Sequence, residues 1–127
     1  MQEHIQNELA SFIANCDWEK IAPHFKEDAA YRVLDWVGCA VAGEHYPQVE
    51  IAQKYFIENG DQGNSTVIGH QTKCSPRTAA FLNGIAGHVC ELDDGHRTAI
   101  GHPGSIAVPT ALALGEHLNA SGADVLK

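Results

Sequence analysis

The chain has 127 residues, of which 44% are hydrophobic and 19% are charged, a composition typical of one folded domain with a single core. Eight Lys and Arg against sixteen Asp and Glu give a formal net charge of -8. Such a surface repels phosphates and anionic lipids, so we expect no nucleic-acid partner and no membrane partner.

The N-terminal sequence predicts a protein that stays in the cytoplasm. "MQEHIQNELA" has neither a basic leader nor a following apolar run, so it does not read as a secretory signal. The most apolar early run, residues 33–42, is about half as long as a bilayer span and contains Asp35. The chain has no C-x-x-C pair, and we expect reduced thiols. The cysteines are Cys16, Cys39, Cys74 and Cys90.

Apolar residues recur at helical spacing through the first half of the chain. A first helix is predicted before Asp17, and its apolar stripe consists of Ile5, Leu9, Phe12 and Ile13. A second helix is predicted over residues 26–44, and we expect it to be buried because both its faces are fairly apolar. Its core-facing stripe consists of Ala30, Val33, Leu34, Val37 and Val41. A third helix is predicted to begin at Pro47 and to end near Asn59.

The middle of the chain predicts a connector followed by a well-defined helix start. Residues 66–70 ("TVIGH") read as a short strand or an extended connector. Ser75 followed by Pro76 is typical of an N-cap with proline at the first helical position. The helix that begins there delivers His88 and Glu91 to its end.

The last third predicts a loop and two more helices. Residues 93–104 contain glycines and a proline that break the helical pattern. A helix follows from Ser105, which we expect to be its cap, and Ser121 is expected to cap one more. Trp18 and Trp36 are expected in the core. The fold class is therefore predicted as all-α, with five or six helices, one short extended connector and no domain boundary inside residues 1–127.

The stretch "HVCELDDGHRTAIGHPG", residues 88–104, concentrates histidines, carboxylates and glycines. Imidazole titrates near neutral pH, and crowded carboxylates are shifted towards it, so the stretch is suited to abstracting and returning a proton. Glycines at 95, 101 and 104 let the backbone approach a small anionic substrate. The plain alternative is a solvated turn at a helix end, and spacing does not decide between the two.

A metal site is a further interpretation of the same residues. His88, Asp93 or Asp94, His96 and His102 would form a donor set suited to zinc, iron or nickel. The spacing matches no strong metal motif, so metal binding is the weaker hypothesis. A thiol nucleophile at Cys90 is weaker still, because side chains two residues apart on a helix diverge. The five remaining histidines are expected to be superficial or structural: His4, His24, His45, His70 and His117.

Three ordered stretches carry a resemblance to a known family. "AAFLNGIAGHVCELDDGH" followed by "HPGSIAVPTALALGE" resembles the signature of the MmgE/PrpD family, which includes 2-methylcitrate dehydratase, cis-aconitate decarboxylase and iminodisuccinate epimerase. "LDWVGCAVAG" is similar to an early helix of that family, and "SGADVLK" to the start of a later one. The resemblance covers nearly all of the chain.

The resemblance implies the N-terminal part of an all-helical domain, in a lyase or isomerase that acts on small di- or tricarboxylates without a cofactor or iron-sulfur cluster. It implies that His102 is the general acid or base and that Asp93 and Asp94 position it. Glu91 and His88 would form the supporting wall. The substrate is then expected to contact His88, His96, Gly95 and Gly104.

Two departures from the family pattern concern the branch and the extent of the chain. The family reads roughly Asp-x-Asp-Asp-Thr and then His-Pro, whereas this chain has Glu91 at the first acid and Gly95 at the threonine. Members are three to four times longer, so the substrate-holding lysines and a lid domain are expected beyond Lys127. The resemblance also implies a homodimer, and the missing length implies a complementing C-terminal chain as an alternative partner. A non-catalytic helical interaction module is the alternative from another class.

Overall fold

The computed structural model describes the backbone of residues 2–127 and the side chains from residue 4 onward. Six α-helices follow one another, with a single 3-10 turn at Trp18–Lys20 and one two-stranded sheet. The helices are α1 (Gln2–Ala14), α2 (Pro23–Gly43), α3 (Pro47–Glu58), α4 (Pro76–His88), α5 (Gly104–Leu118) and α6 (Gly122–Leu126). The predicted all-α class is confirmed.

The expected extended connector is a small antiparallel hairpin. Strand β1 (Ser65–Thr66) pairs with β2 (Lys73–Cys74), with Ser65 opposite Cys74. Glu116 of α5 fastens this hairpin: its carboxylate accepts hydrogen bonds from the backbone N–H of Thr66 at 2.5 Å and from the Thr66 hydroxyl at 2.7 Å. It also pairs with Lys73 at 2.5 Å. The partly exposed Glu116 carboxylate therefore helps to hold the hairpin against α5.

Prolines begin three of the helices, and serine side chains cap two helices. Pro23, Pro47 and Pro76 stand at the first position of α2, α3 and α4, where a missing N–H costs nothing. The predicted cap at Ser75 is confirmed, because its hydroxyl accepts a hydrogen bond from the backbone N–H of Thr78 at 3.3 Å. Ser121 caps α6 in the same way, as predicted.

Helix α4 forms the centre of the fold, packed between α2 and α5. Two core clusters follow one another along it. The cluster near its start consists of Val67, Cys74, Ala79, Leu82 and Ala113, and the cluster near its end of Trp36, Ala40, Val49 and Ala86. Small residues allow the close approach of α2. A Cβ on Gly43 would lie 2.0 Å from the carbonyl oxygen of Ala86, so only glycine fits there.

The stripe predicted to face the core on α2 is only partly right. Val37 packs against the core, but Leu34 is 66% exposed, and the buried residues are Trp36, Cys39, Ala40 and Gly43. Periodicity located the helix, but the buried face is turned away from the predicted stripe because the neighbouring helix docks along the small residues rather than along the larger aliphatic ones. The expectation of a helix buried on both faces is wrong for the same reason.

Other sequence-based expectations have mixed outcomes. Trp36 is buried as expected, but Trp18 is only half-buried, with the Lys26 ammonium 5.0 Å from its ring centroid. The four cysteines are free. Among the described helices, none combines the length and hydropathy that crossing a bilayer requires.

Candidate active site

The dense polar stretch forms a bend between α4 and α5. Helix α4 ends at His88, and the chain reverses through Glu91, which adopts a left-handed φ of 53°. The N–H of Glu91 donates to the carbonyl of His88 at 2.8 Å, closing the helix end. Farther along, the N–H of His96 donates to the carbonyl of Gly101 at 2.8 Å. Because α4 packs along α5, the bend returns His102 to the end of α4.

Asp93 is the buried centre of this bend. Its carboxylate side chain has no solvent exposure. Oδ2 accepts a hydrogen bond from the hydroxyl of Ser105 at 2.5 Å, and Oδ1 lies 3.1 Å from Nδ1 of His88 and 3.3 Å from Nδ1 of His102. Burial alone would raise the pKa of Asp93. The Ser105 hydrogen bond, the His88 hydrogen bond and the nearby imidazole charges outweigh it, so this pKa is lowered and the group is an anion at neutral pH.

The two imidazoles lie between a buried carboxylate and an exposed one. The rings of His88 and His102 are edge to face, with centroids 4.6 Å apart. Their Nε2 atoms face Glu91, at 3.5 Å for His88 and 4.0 Å for His102. The Glu91 side chain is 73% exposed. Each ring therefore has its Nδ1 directed inward and its Nε2 directed towards solvent.

The Nδ1 atom of His102 makes a weaker contact than that of His88. It lies close enough to Asp93 for an ion pair when the ring is protonated, but its direction does not complete a hydrogen bond. It is buried and otherwise without a hydrogen-bond partner among the described residues. A small rotation of the ring would align Nδ1 of His102 with the carboxylate, and both histidines would then donate to Oδ1 of Asp93.

Ser105 and Trp36 support the carboxylate, and neither role was foreseen from the sequence. The indole Nε1–H of Trp36 donates to the Ser105 hydroxyl oxygen at 3.0 Å. The expectation that Ser105 caps α5 is wrong: Pro103 occupies the N-cap position without a side-chain hydrogen bond, and the Ser105 hydroxyl turns to Asp93 instead. No local sequence signal indicated these roles, because Trp36 lies 69 residues from Ser105 and His102 lies outside α5.

A cavity of about 720 Å³ opens beside the imidazole pair. His88, His102 and Ser105 lie at its polar end, and Phe81, Ile85 and Ile106 contribute apolar wall. No lysine or arginine of the described residues lines it. The cavity is large enough for a small polycarboxylate, but it lacks the strong cations that would neutralise several carboxylates.

Comparison with known proteins assigns the family. A family profile described as "MmgE/PrpD N-terminal domain" matches residues 7–127.

The chain belongs to the MmgE/PrpD family.

Two relatives show how much of a whole MmgE/PrpD protein is present. "Cis-aconitate decarboxylase-like protein oryM" of Aspergillus oryzae is 30% identical over 113 residues, which cover 89% of this chain and 23% of that protein. "Cis-aconitate decarboxylase" of Homo sapiens is 33% identical over 99 residues, covering 74% of this chain and 20% of that protein. The chain thus spans about a fifth of the length of the relatives it matches.

Two of the predicted site residues of this MmgE/PrpD chain lie away from the imidazole pair. The carboxylate of Asp94 accepts a hydrogen bond from the backbone N–H of Gly104 at 3.1 Å and lies 4.0 Å from the Arg32 guanidinium. The His96 Nδ1 atom accepts from the N–H of Ala99 at 3.0 Å, and His96 lines a second groove with Arg32 and Asp94. The structure therefore brings Asp93, rather than Asp94, to His102.

The two glycines predicted to contact substrate differ in their surroundings. A Cβ on Gly95 would meet nothing within 4 Å among the described residues, so packing does not require glycine there. A Cβ on Gly104 would lie 2.2 Å from Oδ1 of Asp94, so the absence of a side chain there lets Asp94 reach the start of α5. Gly104 thus has a structural reason to be glycine.

Three of the residues also satisfy the geometry of a metal site. His88, Asp93 and His102 each offer one ligand atom, and these atoms lie within 4.8 Å of one another. Two imidazoles and one carboxylate suit zinc. The set differs from the one expected from the sequence, because His96 is bonded to its own loop instead.

Proposed function

We propose that the chain is the N-terminal part of a cofactor-independent MmgE/PrpD lyase or isomerase that moves protons on a small di- or tricarboxylate. The observation that carries this proposal is the convergence of two imidazoles on one buried, ionised carboxylate at the end of a cavity. A carboxylate behind a histidine orients the ring and stabilises its protonated form, which is the arrangement of a general base. His102, His88 and Asp93 are the residues on which the chemistry would depend.

Dehydration and epimerisation would begin with the same proton transfer. The Nε2 atom of His102 would accept a proton from a carbon beside a carboxylate, and the ring would become an imidazolium next to Asp93. In a dehydration, the imidazolium returns this proton to the departing hydroxide, which leaves as water. In an epimerisation, a second acid gives a proton to the opposite face, and His102 passes its own proton to solvent. A decarboxylation removes no carbon-bound proton: the ring would start as an imidazolium protonated from solvent, and it would protonate the carbanion formed when carbon dioxide leaves.

Glu91 lies where it would assist this transfer. It faces the Nε2 atoms of both rings and is open to solvent. An exposed carboxylate beside the exchanging nitrogen favours the imidazolium by its charge and links the ring to bulk water. His88, with Nδ1 on the same oxygen of Asp93, would share this role or hold a substrate carboxylate in its charged form.

Both relatives are named as a decarboxylase or a decarboxylase-like protein. These names support a lyase in the broad sense. Glu91, which faces the imidazole pair, and Gly95, farther along the same bend, both depart from the family pattern, so we propose no single substrate among methylcitrate, citrate, aconitate and iminodisuccinate. Substrate identity is a question for direct screening.

Further polypeptide would complete the site. The cavity lacks lysine and arginine among the described residues, and the chain spans about a fifth of its relatives. The apolar stripe of α1 is exposed to solvent, with Phe12 72% exposed. Apolar surface of this kind is usually covered in a finished protein. We propose that the remaining family sequence, in the same or a complementing chain, covers it and supplies the cations, and that the assembly is a cytoplasmic homodimer.

The test is turnover by the complete protein, or by the chain combined with its complementing C-terminal polypeptide. The four acids named above are assayed separately, with loss of acid and formation of product followed by mass spectrometry. We expect one of them to be converted and His102→Ala to lower the rate by about 10²- to 10⁴-fold. His96→Ala is the matched control, because it removes an imidazole from the neighbouring groove and should retain most activity. Undiminished turnover in His102→Ala would refute the role of His102.

A further inference from the structure

We propose that Ser105 is a positioning residue, which fixes the Asp93 carboxylate and thereby presents both histidines in one tautomer. The proposal rests on the proposed acid-base function, and it adds to it a residue outside the acid-histidine set. The line of contacts runs from Trp36 on α2, through Ser105 on α5, to Asp93 in the bend.

The direction of this line follows from the chemistry of each group. An indole N–H only donates, so the Ser105 oxygen must accept from Trp36. The single hydroxyl proton of Ser105 is then free to be donated to Oδ2 of Asp93, at 2.5 Å. An ionised carboxylate only accepts. Trp36 therefore sets the orientation of the hydroxyl, and the hydroxyl holds one oxygen of the carboxylate.

Holding Oδ2 in place also fixes the position of Oδ1, the oxygen nearest to both histidines. The other oxygen, Oδ1, faces Nδ1 of His88 at 3.1 Å and Nδ1 of His102 at 3.3 Å. The nearby anion favours a proton on Nδ1 of His102, although that contact is not aligned as a hydrogen bond. His88 Nδ1 also lies 3.3 Å from Oδ2, and because both oxygens only accept, a neutral His88 bonded to them must carry its proton on Nδ1. The Nε2 of such a ring is then a free base, directed towards Glu91 and solvent. Ser105 thus favours the tautomer that proton abstraction requires.

Both partners of the Ser105 hydroxyl are buried. Trp36 is 2% exposed and the Asp93 side chain has no exposure. A Cβ on Gly87 would lie 2.5 Å from Nε1 of Trp36, so glycine at this position of α4 is what lets the indole lie against the helix. Removing the hydroxyl would leave the buried Trp36 N–H without its acceptor and would leave Oδ2 of Asp93 with only the 3.3 Å contact to His88 Nδ1, so the carboxylate would be held less firmly.

Ser105→Ala, Ser105→Thr and Ser65→Ala in the complete protein form the test. Ser65 is the control for losing a hydroxyl that contacts α5: it is fully buried, whereas Ser105 is half-buried, and its hydroxyl donates to the Ala113 carbonyl of that helix at 2.8 Å, away from the imidazoles. We expect Ser105→Ala to lower kcat by about 10- to 100-fold with KM changed less than about threefold, as for other groups that orient a histidine through a carboxylate. Ser105→Thr should restore most of the rate, and Ser65→Ala should lose stability only.

Nuclear magnetic resonance gives readouts that do not depend on turnover. The indole N–H proton of Trp36 should move upfield in Ser105→Ala, with the Trp18 indole as an internal reference. At alkaline pH, ¹⁵N shifts should show His88 and His102 protonated on Nδ1 in the parent protein and as mixed tautomers in Ser105→Ala. An unmoved Trp36 signal or an unchanged tautomer would overturn the proposal, whether or not any acid is converted. So would unchanged kcat in an active parent enzyme. An inactive parent with the expected NMR changes would count against the proposed function alone.

Discussion

His88 and His102 are edge to face with ring centroids 4.6 Å apart, although one ends a helix and the other lies at the far side of a loop. Both Nδ1 atoms face the same oxygen of Asp93. His88 Nδ1 also lies 3.3 Å from the second oxygen, so both rings depend on this one carboxylate for their inward contact. Under the proposed function the pair transfers protons as one unit, and we expect both imidazoles to lose that function when Asp93 is altered.

Replacing the central carboxylate should change how stability depends on pH. The pKa of Asp93 is lowered in the folded protein. Its contribution to the free energy of unfolding is therefore complete above its ordinary value of 3.8, and is lost as the pH falls through the lowered value. Asp93→Asn should be less stable by about 1–3 kcal/mol at neutral pH and lose less stability between pH 5 and pH 2. Urea unfolding at several pH values measures both.

Asp28→Asn controls for the loss of one negative charge in that experiment. Asp28 pairs with Arg32 on the surface, where the side chain is 58% exposed, and such pairs contribute little. Its unfolding free energy should follow that of the parent protein. An Asp93→Asn variant with the acid sensitivity of the parent would show that Asp93 is not an anion in the folded state.

Gly87→Ala should disrupt the packing of Trp36 against α4 and destabilise the protein. Its Cβ would overlap the Trp36 ring, with three ring atoms at 2.5–2.6 Å. Displacing a buried indole costs about 1–3 kcal/mol. Gly95→Ala is the matched control, because its Cβ meets nothing within 4 Å. Thermal unfolding should show a lower Tm for Gly87→Ala alone. Equal Tm values for both variants would mean that Trp36 does not lie against α4.

Glu116→Gln should weaken the attachment of the hairpin to α5. Burial opposes ionisation of Glu116, but Lys73 and the two donors of Thr66 lower its pKa overall. The amide would keep one acceptor and lose the charge, at a cost of about 1 kcal/mol after allowing for partial exposure. Because the pKa is lowered, this stability should be present above its ordinary value of 4.5 and lost at lower pH. Hydrogen exchange at Thr66 N–H should accelerate; unchanged protection would contradict this.

Helix positions were predictable from the sequence, but the faces and long contacts were not. Proline starts located α3 and α4, and apolar spacing located α2, although α2 begins at Pro23 rather than at the predicted residue 26. Trp36 and Ser105 are 69 residues apart, and no local pattern links them. Within the bend, closely spaced acids and imidazoles indicated a site. Which acid reaches His102 depended on loop backbone geometry without a regular period, so Asp93 and Asp94 could not be separated.

Metal content distinguishes the proton-transfer account from a zinc protein built on the same residues. His88, Asp93 and His102 fit the donor geometry of zinc. We expect protein purified without added ions to contain less than about a tenth of an equivalent of any transition metal, because the account assigns these atoms to protons. Stoichiometric zinc that is lost in His102→Ala would favour the metal hypothesis.

Incorporation of solvent deuterium tests the central claim most directly. The complete protein is incubated in deuterated water with each of the four acids, and the carbon-bound hydrogen beside a carboxylate is followed by NMR. We predict deuterium at that carbon in the substrate or the product, lost by at least about 100-fold in His102→Gln and retained in His96→Gln. Incorporation at the parent rate in His102→Gln would contradict the account.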